Sequence, residues 1–521
     1  ATVGHGLSSP PDMVIVKTTG VADSWRTYHS SLGADKQIFL NTAAAVGTTA
    51  NQWNNTSPTN SVFSLGTDNA GSYTTIAYCF TSKPGFSKVG SYTGNGSTSG
   101  PMVQTGFEPA FVIIKWTGAG SWNIIDNKRD TTNPATKRLF ANLANAETTG
   151  INVLDFYANG FQIKNNDAGF NSNGGTYIYL AIAADGSTAT PSLANSFATT
   201  LNNSPSNNQA VAAGFTPDAV WIKGYSGSSS HAIAWGQYDT IRGGGVEISS
   251  ADADAQYDYN THPSGDLGMA FTATGYTTPP LVNNNVNNSV DNYVNYFWKA
   301  GGTPSINTDG TMTSLVSANQ AAGFSVVKYT GDANSSSTIG HGLTPNSQPM
   351  LVIMKDLDSS SDWMVITNNL WSNPTAYFLK LNLTNALGTG TGNPYLVNNT
   401  VFKNTNRNTS LNNYIAYCFT SISGYSKVGT YSGTASANSI TTGFEPGFIM
   451  IKRTDTTGTW VVMDSARGMG SNAYALFPNV NSLQSNGWNT AFTATGFTIS
   501  STEAWINASG GTYIYLAIKE N

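Results

Sequence analysis

Three aspartates in one short segment form the densest group of metal-ligating side chains in the sequence. Asp252, Asp254 and Asp258 lie in the stretch ADADAQYDYN. Ca²⁺ takes about six to eight oxygen ligands, and alternating carboxylates in a loop could supply several of them. The spacing differs from that of an EF-hand loop, and the distal glutamate of such a loop is missing. We therefore favour a solvated acidic loop, with a calcium site as the alternative.

A second group of candidates consists of tryptophans in polar surroundings that are typical of loops. A sugar ring has an apolar face and polar edges, so an exposed indole beside Asn and Thr side chains can bind it. Four tryptophans have such surroundings and do not recur in every repeat described below: Trp53, Trp116, Trp371 and Trp505. We predict that they bind glycan. The alternative is that each one covers an edge of its own domain.

Candidate catalytic groups are sparse. Polysaccharide hydrolysis needs two opposed carboxyl groups about 5 to 10 Å apart. Glu108 and Glu445 recur in a GFEP motif, and Asp126 and Asp464 recur after an aromatic strand. Hydrogen bonds that stabilise loops would produce the same recurrence. The sequence also has no nucleotide-binding or Gly-x-Ser-x-Gly motif in a suitable context. We predict that the protein is not an enzyme.

The histidines and cysteines indicate structural roles. His5 and His341 occupy the same place in two copies of the turn GHGL, and their spacing is not that of zinc ligands. We expect their rings to satisfy backbone groups of the turn. Cys79 and Cys418 recur in IAYCF strands of separate domains, so we expect buried free thiols and no disulfide between them.

Length and charge restrict the classes of partner. A chain of 521 residues is longer than the roughly 250 to 300 residues at which single cores stop growing, so several domains are expected. Charged residues make up 10% and the net charge is −5, without the basic stripe that nucleic-acid binding requires. No apolar run approaches the roughly 20 residues of a membrane span. We predict neither a nucleic-acid partner nor a membrane span.

Internal repetition organises the chain. A Gly-Pro turn followed by an apolar strand ending in Lys occurs at 6–17, 106–115, 214–223, 342–355 and 443–452. Each copy continues into an aromatic strand and closes on a Tyr-rich strand such as TYIYLAI. Short strands of this composition between Asn, Gly, Ser and Pro clusters indicate β-sandwiches. We predict an all-β protein of tandem antiparallel β-sandwich domains, lectin-like and of jelly-roll type, each about 100 residues long.

The repeats fall into types. We place them at 1–83, 84–190, 191–302, 303–422 and 423–521 and call them repeats 1 to 5. Repeats 1 and 4 are of one type, repeats 2 and 5 are of a second type, and repeat 3 is divergent. The tryptophans that recur after the strand-ending Lys are predicted to be core residues: Trp25, Trp122, Trp235, Trp363 and Trp460.

Repeat 1 differs from its relatives in one respect. A strand of the form GFSxVxxYTG precedes the Gly-Pro turn in repeats 2, 4 and 5 but not in repeat 1. If this strand pairs inside its own sandwich, repeat 1 exposes the unpaired backbone of a sheet edge. We therefore expect that residue 1 is not the biological start of the protein, with a strand donated by a neighbouring chain as the alternative.

One set of motifs resembles a known group of proteins. The set consists of GHGL…PDMVIVK…SWRTYH, GFSKVGSYTGNGS…TGFEPAFVIIK and YFWKAGGTPSINTDGT. It resembles the repeat domains of structural proteins of marine bacteriophages, which are described as tail-fibre or uncharacterised virion proteins. The resemblance covers essentially the whole chain, and it carries no catalytic or ligand residues that could be transferred.

The resemblance implies a virion-associated fibre or adhesin with lectin-like sandwiches. We therefore expect a non-catalytic virion protein whose loops recognise a bacterial surface glycan and which contacts other virion subunits. By analogy with fibre proteins we expect a homo-oligomer, with a trimer as the first candidate. The alternatives are a purely structural or capsid-decoration protein of the virion, and a polysaccharide depolymerase.

Overall fold

The computed structural model describes residues 1–7, 9–69, 73–183, 195–227, 234–261, 268–283, 285–344, 350–368, 376–390, 395–404 and 411–520. The chain divides into an N-terminal unit, Ala1–Thr188, and a C-terminal unit, Ala189–Asn521. In the described residues the only helices are single turns: Thr67–Asn69, α1 (Ala168–Asn171), Tyr259–Thr261 and α2 (Ala504–Asn507). All other regular elements are strands in antiparallel sheets, so the predicted all-β sandwich fold is confirmed.

The N-terminal unit contains repeats 1 and 2, each with a large and a small sheet. Repeat 1 has strands β1 (Thr2–Gly4), β2 (Met13–Thr18), β3 (Arg26–His29), β4 (Lys36–Phe39), β5 (Gly47–Thr48), β6 (Val62–Ser64) and β7 (Thr75–Phe80). Repeat 2 has β8 (Ser87–Thr93), β9 (Met102–Gln104), β10 (Pro109–Trp116), β11 (Trp122–Asp126), β12 (Leu139–Phe140), β13 (Leu154–Tyr157), β14 (Gly160–Ile163) and β15 (Thr176–Ala183). The large sheets have the orders β5-β4-β3-β2-β7 and β12-β11-β10-β15-β8.

The C-terminal unit contains repeats 3, 4 and 5. Repeat 3 has β16 (Phe197–Asn203), β17 (Ala210–Ala212), β18 (Ala219–Gly227), β19 (Trp235–Asp239), β20 (Val246–Glu247), β21 (Tyr257–Asp258), β22 (Ala270–Thr272), β23 (Gly275–Thr277) and β24 (Asp291–Trp298). Repeat 4 has β25 (Ser305–Asn307), β26 (Ser314–Asn319), β27 (Phe324–Thr330), β28 (Ile339–Gly340), β29 (Met350–Asp356), β30 (Met364–Thr367), β31 (Ala376–Lys380), β32 (Gly388–Gly390), β33 (Tyr395–Val397), β34 (Val401–Asn404) and β35 (Asn413–Thr420). Repeat 5 has β36 (Ser426–Ser432), β37 (Asn438–Thr441), β38 (Phe448–Arg453), β39 (Trp460–Asp464), β40 (Thr490–Thr493), β41 (Gly496–Ile499) and β42 (Thr512–Ile518).

The Tyr-rich closing strand has a constant place in the large sheets. In repeats 2 to 5 it lies between the Lys-ending strand and a second strand, which is β8, β16, β27 or β36. In repeat 1 the closing strand β7 is the outer strand of its described sheet, as predicted from the absent GFSxVxxYTG strand.

The central strands of the large sheet of repeat 4 are buried on both faces, which is why they read as continuous apolar runs. One face of β29 and β35 packs towards the small sheet of repeat 4 through residues such as Val352 and Cys418. The other face packs towards repeats 3 and 5 through residues such as Ile353 and Tyr417.

Three equivalent contacts join the repeats of the C-terminal unit in a closed circuit. In each contact, a recurring tryptophan donates its indole N–H to a backbone carbonyl of another repeat. The bonds run from Trp363 to Ser249 O (2.7 Å), from Trp460 to Lys380 O (2.8 Å) and from Trp235 to Phe477 O (2.9 Å). Repeat 4 thus contacts repeat 3, repeat 5 contacts repeat 4, and repeat 3 contacts repeat 5.

Two of these contacts also contain a buried charged cluster. The Tyr417 hydroxyl of repeat 4 donates to the Asp239 carboxylate of repeat 3, which also pairs with Arg242. The same arrangement joins Tyr296 of repeat 3 to Asp464 and Arg467 of repeat 5. Both ion pairs are at most 1% exposed. The third contact lacks this cluster, since Leu516 stands at the position of the Tyr and Thr367 at the position of the Asp.

The N-terminal unit contains one contact of this kind. Trp122 of repeat 2 donates its indole N–H to Phe39 O of repeat 1 over 2.9 Å. This contact also lacks the charged cluster, because Leu180 and His29 replace the Tyr and the Asp. His29 Nε2 instead lies 3.3 Å from Tyr179 O, and burial lowers the pKa of His29 to about 4.

The predicted structural residues are placed as expected, except that Trp25 and Cys79 are only partly buried. Trp122, Trp235, Trp363 and Trp460 are buried core residues, whereas Trp25 is only partly buried. In both GHGL turns the ring Nδ1 accepts the backbone N–H two residues ahead over 3.1 Å. Both cysteines are free thiols; Cys418 is buried and Cys79 partly buried.

Candidate functional site

A cavity of about 450 Å³ lies where repeat 5 meets repeat 4. It is lined by Thr384, Thr457, Gly458, Thr459, Phe477, Asn479, Val480, Ser482 and Trp505. The lining combines aromatic rings with hydroxyl and amide groups. Such cavities, with an apolar surface and a few placed polar groups, are typical of small-ligand sites.

Trp505 is held at the cavity by the short helix α2. The neighbouring residues Ile506 and Asn507 are fully buried, and the Asn507 amide donates to Ser501 O over 2.9 Å. This anchoring turns the intervening side chain outward, so that Trp505 is 41% exposed. Gly458 lies against the indole, and a methyl group there would come within 3.5 Å of it.

Two further rings support the exposed indole. Trp488 stacks on Trp505 with ring centres 5.9 Å apart, and Phe477 meets it edge-on at 6.0 Å. Both supporting rings are at most 9% exposed, so they fix the Trp505 ring while leaving part of it accessible. We call these three rings the aromatic cluster. Such a rigid, partly exposed indole is suited to stacking on the apolar face of a sugar.

The polar side of the cavity is oriented by Asn479. Its Oδ1 accepts hydrogen bonds from Thr459 Oγ1 (2.7 Å) and from the backbone of Trp460 (3.0 Å). Within the described residues, the Asn479 amide nitrogen donates to no acceptor. Gly458 N donates to Thr384 O over 2.8 Å and so brings repeat 4 to the cavity. Hydroxyl and amide groups are thus available for hydrogen bonds with a ligand.

The electrostatic character of the cavity is neutral. None of the nine lining residues carries an ionisable side chain. The nearby Arg453 and Asp455 form an ion pair of 2.9 Å, which lowers the pKa of Asp455 to about 2. The lining offers no general acid or base, so this cavity is suited to binding a neutral polar ligand and not to hydrolysing it.

The other three predicted glycan-binding tryptophans have different outcomes. Trp53 was expected to be exposed, and this is wrong: it is 1% exposed and packs edge-on against Tyr28 at 5.7 Å. It fills the space between the sheets of repeat 1. Trp116 ends β10, is partly buried and covers Gly118 of its own loop, as the alternative interpretation proposed. Trp371 lies outside the described residues.

The acidic segment of repeat 3 lies against repeat 4. Ser361 N donates to Ala253 O over 2.7 Å. The Asp252 carboxylate accepts from Asp254 N, and that of Asp258 accepts from Asn260 N. In the part of the chain that the structure describes, no three His, Cys, Asp or Glu side chains are grouped as metal ligands. These contacts are those of a loop stabilised by its own aspartates.

The recurring carboxylates also have structural contacts. Asp126 and Asp464 each pair with the arginine three residues ahead. Each also accepts that arginine's backbone N–H. Glu445 is exposed and Glu108 partly buried. The structure thus shows loop-stabilising hydrogen bonds for the two aspartates.

Two features of the structure could not be predicted from the sequence. Asn479 and Phe477 lie in the segment YALFPN, whose recurrence in other repeats had indicated only a strand, and Trp488 occurs in a single repeat. The carboxyl group of Glu247 is buried and accepts hydrogen bonds from Tyr238 and Asn285. Burial raises the pKa of Glu247 to about 7. A lone Glu in GGGVEISS gives no signal of burial.

Comparison with known proteins places the chain in a family. The model of a domain of unknown function, DUF7483, matches residues 1–185 and 194–521. The chain belongs to this family. No curated protein and no solved structure matches the chain. Among the described residues of this DUF7483 chain, no helix is long and apolar enough to cross a membrane.

Proposed function

We propose that this chain is a non-catalytic, virion-associated adhesin that binds a bacterial surface glycan in the cavity beside Trp505. The observation that carries the proposal is the aromatic cluster next to Asn479. An indole that is 41% exposed and braced by two buried rings presents an apolar face, while the adjacent amide and hydroxyls match the edges of a sugar. The virion assignment comes from the resemblance of the repeat motifs.

The neutral lining supports binding without hydrolysis. A depolymerase would need two carboxyl groups on opposite sides of the bound sugar, and the nine lining residues include none. Weak binding at this cavity would also fit a fibre protein, because several chains in one assembly bind together with higher avidity.

The test combines two measurements on a panel of immobilised bacterial surface polysaccharides. We expect the protein to be retained by a subset of the panel and to release no new reducing ends. New reducing ends would refute the non-catalytic assignment. Absence of retention on every polysaccharide would refute glycan binding and favour the second candidate, a structural or decoration protein of the virion.

Variants connect retention with the cavity. Trp505→Ala is expected to lower affinity about tenfold, which corresponds to the loss of about 1.4 kcal/mol of ring contact. Tyr73→Ala is the matched control, because Tyr73 is 55% exposed and lies in the other unit. The circular dichroism of both variants should equal that of the parent chain. Equal retention of both variants would place the binding site elsewhere.

A further inference from the structure

The two type-related repeats 1 and 4 differ in how much of the closing strand is covered. In repeat 4, Ile415 and Tyr417 of β35 are fully buried. The corresponding residues of β7 in repeat 1 are Ile76, which is 43% exposed, and Tyr78, which is 44% exposed. The Tyr417 hydroxyl is bonded to the charged cluster of repeat 3, whereas in the described part of the chain the Tyr78 hydroxyl has no hydrogen bond.

The two type-related repeats 2 and 5 show the complementary difference. In repeat 5, the pair of Asp464 and Arg467 is at most 1% exposed and is bonded by Tyr296. The same pair in repeat 2, Asp126 and Arg129, is about one-fifth exposed. Arg129 also donates a hydrogen bond to Glu147 over 2.9 Å. Within the described residues, no tyrosine hydroxyl bonds to the pair.

The indole contact that recurs between repeats is also incomplete in repeats 1 and 2. Trp25 of repeat 1 stacks on Tyr78 at 6.3 Å, but among the described residues its N–H meets no acceptor. In repeats 1, 4 and 5 the acceptor carbonyl belongs to the residue two positions before an asparagine, namely Phe39, Lys380 and Phe477. In repeat 2 this position is Phe140, whose carbonyl receives no indole in the described structure.

These observations define two open edges on the N-terminal unit. The first edge, in repeat 1, consists of Trp25, Ile76 and Tyr78. The second edge, in repeat 2, consists of Asp126, Arg129 and the Phe140 carbonyl. In the C-terminal unit, the corresponding edges of repeats 4 and 5 are both occupied by repeat 3.

We propose that the N-terminal unit is two-thirds of a three-sandwich circuit and binds one further β-sandwich of the repeat 3 type. That partner presents an Asp-x-x-Arg pair and a strand carbonyl to the first edge. It presents a Tyr hydroxyl and an indole N–H to the second edge. Each contact then repeats one that the C-terminal unit already makes.

The N-terminal unit of a second copy does not fit this position. Its repeat 2 would have to receive Tyr78, but that repeat already carries its own repeat 1 through the bond from Trp122 to Phe39. In the closed circuit, repeat 1 of the second copy would then occupy the place that repeat 2 of the first copy already fills. A single sandwich with both edges free is the occupant that closes the circuit.

The direct test adds such a sandwich to the full chain. Residues 195–337 contain repeat 3 and strand β27, and they lie directly before TIGHGL, the motif that matches TVGHGL at the start of repeat 1. A fusion of this segment to Thr2 should lower the hydroxyl-radical reactivity of Trp25 and Tyr78 at least fivefold, to the level of Trp363 and Tyr417. Unchanged reactivity of both residues, with the added segment folded, would overturn the proposal.

A second measurement decides the question even if the added segment does not fold. In the unfused chain, Tyr417→Phe should lower the urea midpoint of unfolding because it breaks a buried bond, and Tyr78→Phe should leave the midpoint unchanged. Equal lowering by both variants would show that Tyr78 already has a buried partner, and the proposal would be wrong. Glycan retention does not enter either readout, so the result is independent of the proposed function.

Discussion

Replacing Tyr296 by Phe removes one hydroxyl group from a fully buried charged cluster. The hydroxyl donates to Asp464 Oδ2 over 2.7 Å and accepts from Arg467 Nη2 over 3.3 Å. Burial raises the pKa of Tyr296 well above its usual value, so the hydroxyl stays protonated and remains a donor. A hydrogen bond to a charged group contributes about 1.5 to 3 kcal/mol. We expect Tyr296→Phe to lower the free energy of unfolding of the C-terminal unit by this amount.

The assay is urea unfolding of the full chain, followed by fluorescence, together with calorimetry. For a unit of this size, the expected loss corresponds to a fall of about 2 to 4 °C in Tm. The control is Tyr225→Phe, since the Tyr225 hydroxyl bonds to Asn203 at an exposed site and should contribute less than about 0.5 kcal/mol. If the two variants lose the same stability, the buried cluster does not hold repeats 3 and 5 together as described.

Three further predictions concern single sites. Trp53→Ala should destabilise the N-terminal unit by about 3 to 5 kcal/mol in denaturant unfolding, because it empties a core position; a loss below about 1 kcal/mol would contradict its burial. Because burial raises the pKa of Glu247 to about 7, stability should fall as pH rises from about 4.5 to 7, and Glu247→Gln should remove that slope from a series of unfolding curves. His341→Ala should cost about 1 to 2 kcal/mol and His5→Ala clearly less, since His341 is buried and His5 is not; reversed calorimetric losses would refute the turn roles.

Much of the fold was predictable because the repeats carry the same physical signals. The alternation of turn residues with short apolar and aromatic runs fixes the strands. Recurrence separates packing residues such as Trp122 and Trp460 from residues with local roles. The outer position of β7 also followed from the sequence, since the strand that covers it elsewhere is absent from repeat 1.

The contacts between repeats were not predictable to the same extent. The pairing of Tyr417 with Asp239 joins side chains from different repeats, and no periodicity within one repeat indicates which repeats touch. Trp53 and Trp505 could not be distinguished from the sequence, because both lie in largely polar stretches, ANQWNNTS and STEAWINAS. Their different burial, 1% against 41%, depends on whether the loop folds inward over the core or ends in an anchored helix.

The strand-ending lysines show the same limit. Lys115, Lys223, Lys355 and Lys452 are all at most 1% exposed, although a Lys at a strand end normally indicates a solvated terminus. Lys115 Nζ donates to Gly118 O over 2.8 Å and so satisfies backbone carbonyls of the following loop. Burial lowers the pKa of Lys115 and of Lys452 to about 8. Only the three-dimensional course of that loop shows why the lysine ammonium group is buried.

The closed circuit of the C-terminal unit has a consequence for how it comes apart. In a linear array, where each repeat touches only its neighbours, the terminal repeats fray first and unfolding spreads from the ends. Here repeat 3 is bonded to repeat 5 through Trp235 and Tyr296, and Thr199 N donates to the Glu520 carboxylate near the other end of the chain. No repeat of this unit is terminal, so a pulling force applied at its two ends meets a clamped pair of repeats and should open all three in one cooperative step.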